Sequence, residues 1–206
     1  VIYDDAGNRK ILDDPDTGRT ITTYNSVGEV VKEAQLGLIA DNGNSKTFLY
    51  EYDRLGRKQM RTHPETDSVD HWYYDVNQDG RDCGFGRLCA MRNDEFSEEY
   101  AYEAASGNLS ATTTTITTAA SSEPKRFVFS YGYDQFGRER VVEYPSGFTI
   151  RRNYRNGYLS EILDVTSGSE QSIVWSATAY NVYGDAKEVL LGNGLTTRRE
   201  YDERGL

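Results

Sequence analysis

The chain has 206 residues, of which 37% are apolar, with sixteen Tyr against seven Phe and two Trp, and a formal charge of −10 at pH 7. That acidity argues against nucleic acid or an anionic membrane surface as the main partner, and no apolar run is long enough for a membrane-spanning helix. So lean an apolar content does not suit a solid globular core; it suits a sheet wetted on one or both faces.

Taken from the N-terminus, one short phrase keeps returning. It reads YDDAGNR from Tyr3, YNSVGEV from Tyr24, YDRLGRK from Tyr52, YDVNQDGRD from Tyr74 and YEAASGNL from Tyr102. It continues as YDQFGRE from Tyr133, YRNGYL from Tyr154, YNVYGDA from Tyr180 and YDERG from Tyr201, nine copies in all. In six of them Gly stands four residues after Tyr, at Gly7, Gly28, Gly56, Gly137, Gly184 and Gly205. Four of the eight gaps between successive Tyr are 21 or 22 residues, and the others run from 26 to 31. A phrase repeated at this period marks a structural unit.

The chemistry of the phrase is that of a β-hairpin. Tyr belongs to a strand, where its ring packs across the sheet and its hydroxyl tolerates water. The following Asp (Asp4, Asp53, Asp134, Asp202) suits the first place of a type I turn, its carboxylate accepting backbone N–H groups. Gly then supplies positive φ. The Arg, Lys or Asn after it is expected to start the return strand on a solvent-facing position. Alternation continues through the flanks, as in RFVFSYGYD (126–134) and FTIRRNY (148–154). Only VVKEAQLGLIA (30–40) is passable as helix, and it could equally be strand.

This pattern, over essentially the whole chain, resembles the YD-repeat or Rhs-repeat family. That family includes Rhs polymorphic toxins, the B and C components of insecticidal Tc toxin complexes and the teneurin ectodomain. The resemblance implies an all-β fold over 1–206, tandem hairpins in a continuous curved antiparallel sheet that forms a section of a β-shell. It implies a non-catalytic wall whose partners are further YD repeats of the same polypeptide and an enclosed C-terminal toxin or effector. It also implies an exported protein, secreted or at the cell surface. The alternative, from the teneurin branch, is an adhesion module that binds glycan or a cell-surface protein. A strand residue covers ~16 Å² of sheet, so the chain covers at most roughly 3,300 Å². Walling in a guest of ~100 residues takes roughly 5,000 Å². The expectation is a section of something longer, since the chain begins and ends inside repeat motifs.

The copy at Tyr74 departs from the rest. Asp75, Asn77 and Asp79, followed by Gly80, have the oxygen spacing that begins an EF-hand-type calcium loop, with Asp82 as a further ligand. The twelfth position, however, is Gly86 rather than Glu, and a YD turn with two extra acidic residues is the plainer reading. No other cofactor is expected. Cys83 and Cys89, with five residues between them, suit a disulfide that pins a hairpin or bulge, and they lack the spacing of zinc or redox sites. Some YD repeats similarly place paired Cys around a GRLC segment.

Three further stretches carry weaker signals. His63 and His71 bracket THPETDSVDHW; a metal there would need Asp67 or Asp70, and two solvated loop histidines are expected instead. Asp14-Pro15 resembles the Asp-Pro-x-Gly boundary of Rhs shells, but Gly18 comes one residue late, so it reads as another turn with no catalytic role. The Thr/Ser-rich stretch 110–124 lies in the longest gap between repeat Tyr. Its Thr residues could form an exposed strand, but it is expected to be a long hairpin excursion.

Overall fold

The computed structural model describes residues 1–37, 45–118, 123–168 and 171–202. Every regular element among them is a β-strand, and the strands divide between two compact units. Each unit is built from the same hairpins.

Unit 1 comprises Val1–Glu99 and Thr115–Lys125. It contains β1 (Ile2–Tyr3), β2 (Arg9–Asp14), β3 (Gly18–Tyr24), β4 (Val30–Leu36), β5 (Ser45–Tyr52) and β6 (Lys58–His63). These are followed by β7 (Ser68–Val76), β8 (Asp82–Arg92) and the first part of β9 (Phe96–Tyr102). Each strand pairs antiparallel with the next, from β1 through to β9. Unit 2 comprises Tyr100–Thr114 and Arg126–Leu206. Most of β10 (Leu109–Ile116) and β11 (Lys125–Tyr133) falls here, followed by β12 (Glu139–Glu143), β13 (Thr149–Arg155) and β14 (Tyr158–Asp164). It ends with β15 (Ser172–Tyr180), β16 (Ala186–Leu191) and β17 (Thr196–Arg198), and from β11 onward each strand pairs antiparallel with the next. The fold is all-β, made of tandem antiparallel hairpins as the repeats implied.

The hairpins share an irregularity that the sequence did not announce. The register slips just where each repeat Tyr enters its turn. Glu51 faces Met60 but Tyr52 faces Lys58, which leaves Gln59 without a partner. The same slip occurs at Tyr24, Tyr133, Tyr154 and Tyr180. An extra residue on one strand is a β-bulge, which strengthens the local twist and re-aims the neighbouring side chain. Here the re-aimed side chain is the repeat tyrosine.

Buried apolar side chains are few. Cys83, Cys89 and Ala90 are buried in unit 1, and Val142, Ile150, Leu163 and Val189 in unit 2. Val142 and Ile150 face each other across β12 and β13. With so little apolar burial, the ladders, bulges and turns must supply much of the order, as the lean composition suggested.

The structure places three stretches that the sequence singled out, and it corrects the expectation for the histidines. Residues 30–36 of the ambiguous segment are strand β4, and 38–40 lie outside the described residues. Within the Thr-rich stretch, 110–116 belong to β10, with Thr112 buried, while 119–122 lie outside the described residues. His63 and His71 sit on β6 and β7 rather than in a solvated loop; only a tight turn over 64–67 separates these strands. The Asp14 stretch is a turn, its carboxylate accepting the N–H groups of Asp16 and Thr17.

Candidate functional site

The repeat is built around one turn, seen plainly at Tyr52. Asp53 Oδ1 accepts the backbone N–H groups of Leu55 (2.8 Å) and Arg57 (3.0 Å), and Gly56 N–H closes the turn on the Asp53 carbonyl at 3.0 Å. Gly56 has φ +74°, a left-handed value that other residues adopt only with strain. Asp4, Asn25, Asp134 and Asn181 hold their turns in the same way. The Asp53 carboxyl lies below its ordinary range, first because the Arg57 N–H donates to it. Gly205, in the copy at Tyr201, lies outside the described residues.

The tyrosine does more than pack. Tyr24 donates its hydroxyl to the Arg9 carbonyl, Tyr52 to Val30, Tyr133 to Leu109, Tyr154 to Glu139, Tyr180 to Leu159 and Tyr201 to Ala186. In every case the acceptor stands two residues beyond the glycine of the preceding turn. Each of these six repeats thus ties down the start of the return strand before it. The hydroxyl, suited by its polarity to a wet sheet, is at these repeats the bond between consecutive hairpins.

The residue after the glycine is also not simply solvent-facing. The Arg57 guanidinium donates to Asp53 (2.6 Å) and stacks over the Tyr74 ring at 4.4 Å from its centroid. Arg138 does the same with Asp134 (2.7 Å) and the Tyr154 ring (4.3 Å). Their alkyl stems and charged heads are folded back onto the next hairpin.

At Tyr74 the turn has moved. Asn77 takes the part played elsewhere by the residue after Tyr. Its Oδ1 accepts the N–H groups of Asp79 (3.1 Å) and Arg81 (2.8 Å), and Gly80 closes on its carbonyl. Asp75, displaced from the turn, sits at φ +65° and accepts both terminal nitrogens of Arg57, at 3.1 and 2.8 Å. It also accepts Gly86 N–H at 2.5 Å. Its carboxyl is held below the usual range, first by Arg57 and then by Gly86.

Opposite Asp75 the partner strand swells. Tyr74 faces Leu88 while Asp75 faces Gly84, so Phe85, Gly86 and Arg87 are left out of the ladder. A disulfide between Cys83 and Cys89, as the spacing suggested, closes the base of this loop with a Cα–Cα distance of 5.6 Å. Cys89 is fully buried, whereas Phe85 at the crown is 86% exposed.

The calcium candidate does not assemble. Asp75 is committed to Arg57 and Gly86, Asn77 to its turn and Asp82 to Gly84 N–H, while Asp79 lies 3.6 Å from Arg92. Among the described residues no three His, Cys, Asp or Glu side chains form a group that could hold a metal ion. The extra acidic residues are explained by the shifted turn and the Arg57 clamp.

Sequence reasoning missed one polar cluster. Asp70, only 5% exposed, accepts Arg61 Nε (2.7 Å) and Asn93 Nδ2 (2.8 Å), with His63 Nε2 at 3.3 Å. Burial pushes its carboxyl up, but the hydrogen bonds from Asn93 and Arg61 outweigh it and hold the group below its ordinary value. The Phe48 ring meets His63 edge-on at 4.6 Å. These groups satisfy one buried charge.

No family model and no curated protein matches the chain. Solved structures do. A crystal structure of TcdB2-TccC3 aligns at 14% identity and a TM-score of 0.72, covering 96% of this chain and 10% of that chain. A Tc holotoxin pore from Photorhabdus luminescens, with a mutated TccC3, gives 14% and 0.73 at the same coverage. TcdB2-TccC3 with Cdc42 gives 13% and 0.73. The chain spans about a tenth of the length of the chains it matches. By fold, it is similar to these Tc toxin structures, of the YD-repeat kind that its nine tyrosine phrases resemble.

Proposed function

We propose that the chain is a non-catalytic section of a YD-repeat shell wall that contains a toxic or effector segment of an exported polypeptide. The observation that carries this reading is the hairpin-to-hairpin linkage. Six repeat tyrosines each donate to the carbonyl two residues beyond the previous turn glycine, which makes a self-propagating wall. The fold likeness to Tc toxin structures over 96% of the chain supports it, as does the small share that it forms of those longer chains. The Cys83–Cys89 disulfide supports passage through an oxidising compartment. The partners in this reading are further repeats and a guest segment of the same polypeptide. None of the side chains described above is assigned a catalytic role.

The test is limited proteolysis of the full-length polypeptide, followed by mass spectrometry. A C-terminal segment that resists protease until the wall is unfolded by denaturant is the expected result. A C-terminal segment digested freely while the repeats remain intact would overturn containment.

A further inference from the structure

In unit 1 the side chain of Lys58 is held against two aromatic rings. Its Nζ lies 4.5 Å from the centroid of the Tyr50 ring on β5 and 5.5 Å from that of the Trp72 ring on β7. Lys58 itself opens β6, the strand between them. Of the chain's lysines, Lys10, Lys32, Lys46, Lys125 and Lys187 are exposed, and Lys58 alone is half-buried. Among the described residues its amine has no hydrogen bond and no carboxylate at ion-pair distance. The three N–H groups of an ammonium there face ring carbons and whatever water reaches them.

The charges around this amine do not favour an ammonium. Arg61, on the same strand, stands 5.8 Å from the Trp72 ring centroid and brings a second cation to the ring that Lys58 uses. The nearby carboxylates are engaged elsewhere. Asp70 accepts from Arg61 and Asn93, and Glu33 accepts Gln35 Nε2 at 2.7 Å. Burial first, and then Arg61, hold the Lys58 amine below the usual lysine range, against the opposing pull of Glu33 and Asp70. The Tyr50 hydroxyl is pushed up, first by burial, and adds no charge near neutral pH.

Desolvation and a neighbouring cation are the two means by which a lysine becomes a nucleophile near neutral pH. The rings then select the electrophile. Acylation would remove the positive charge on nitrogen, which both ring faces attract. Condensation with an aldehyde keeps it. The amine lone pair attacks the carbonyl carbon, a C–N bond forms, a proton passes from nitrogen to oxygen, and water leaves to give a protonated imine. No oxidant or reductant is consumed. An aryl group on that carbon is conjugated with the imine and has a flat face to stack on Trp72 or Tyr50. We propose that Lys58 is a reversible covalent capture site for aromatic aldehydes, with Tyr50 and Trp72 as the walls that hold the iminium. The site is independent of containment and stands or falls separately from it.

The test is labelling of the full chain near neutral pH with benzaldehyde and cyanoborohydride, which traps each imine as a benzylamine, followed by peptide mass spectrometry. Lys58 should be labelled about tenfold or more faster than any of the exposed lysines, which serve as internal references. With butanal in place of benzaldehyde that lead should shrink several-fold. It should also narrow as pH rises, because the exposed amines then lose their protons too. Trp72→Leu and Tyr50→Leu should each reduce the lead with benzaldehyde, and Phe136→Leu, an exposed aromatic of unit 2, should leave it unchanged, with circular dichroism reporting the fold of each variant. The comparisons among lysines and between aldehydes are made in wild-type protein, so they do not depend on any variant folding. Labelling of Lys58 no faster than the exposed lysines would overturn the proposal. So would an equal lead with butanal, because the rings would then select nothing.

Discussion

The hairpin turns at Tyr52 and Tyr74 occupy neighbouring places in unit 1 and solve the same problem with different residues. At Tyr52 the next residue, Asp53, holds the turn. At Tyr74 the turn is held two residues later by Asn77, Val76 takes the place next to it, and Asp75 is freed to clamp Arg57 from the previous turn. The two-residue insertion therefore does not lengthen the loop. It slides the same turn along the strand and leaves behind a spare carboxylate and a swollen partner strand, which the disulfide then closes. The repeat tolerates insertion because its turn depends on spacing, an Asp or Asn three residues before a Gly, and not on a fixed distance from Tyr.

The largest effect expected on this comparison comes from removing the staple that only the Tyr74 copy carries. The double variant Cys83→Ser, Cys89→Ser should lose about 2–3 kcal/mol, the amount expected for a short closed loop. Urea unfolding, followed by tyrosine and tryptophan fluorescence, would measure it, and wild-type protein under strong reductant should shift similarly. A variant with an unchanged midpoint would show that the Asp75–Gly86 contact alone holds the bulge. Next comes the turn residue. Asn77→Ala removes the acceptor for two N–H groups at a buried position and should cost about 1–2 kcal/mol in the same experiment. Asp53→Ala should cost less, because Asp53 is less deeply buried than Asn77. If Asp75→Ala proved as damaging as Asn77→Ala, the turn assignment at Tyr74 would be wrong.

How much of this was legible depends on the range of the interaction. The Asp53–Gly56 turn is local, and the sequence spelled it. The sliding at Tyr74 was legible too, since Asn77 and Gly80 repeat the three-residue spacing of Asp53 and Gly56; the eye was drawn instead to the calcium-like run of oxygens. The disulfide followed from the spacing of the only two cysteines. By contrast, the Tyr52 hydroxyl bond to Val30 joins residues 22 apart, and its geometry depends on a bulge at Tyr52 that no propensity announces. Its one trace was Tyr, never Phe, at all nine repeat positions. The Asp70 cluster has a local part, His63 within THPETDSVDHW, but its Asn93 comes from 23 residues away and no local pattern points to it.

The tyrosines give the next contrast. Tyr52 donates to Val30 at 2.8 Å, whereas the Tyr74 hydroxyl has no hydrogen bond among the described residues and its ring is used for stacking on Arg57. Tyr52→Phe should therefore lower stability by about 1 kcal/mol, the ordinary worth of one hydrogen bond, and Tyr74→Phe should be close to neutral. Thermal melts of the two variants side by side would decide it. Equal losses would mean that the hydroxyl-to-carbonyl link does not set the repeat apart from a generic tyrosine.

The smallest expected effect is on acid stability, where the two copies share Arg57. Asp53 and Asp75 both titrate below their unfolded value of about 4, because each accepts from Arg57, Asp53 first through the backbone and Asp75 through the guanidinium. A carboxyl whose folded value is depressed stabilises the fold above the unfolded value, and that contribution is lost as pH falls through the folded one. Stability should thus be flat near neutrality and decline below about pH 4. Asp75→Asn keeps the shape but cannot ionise. It should remove part of that decline while leaving the Asp53 part, so its urea midpoints should depend less on pH between neutral and acid conditions than those of wild type. The same slope in both proteins would mean that Asp53 alone carries the Arg57 pairing, and that the spare carboxylate at the shifted turn serves the loop rather than the clamp.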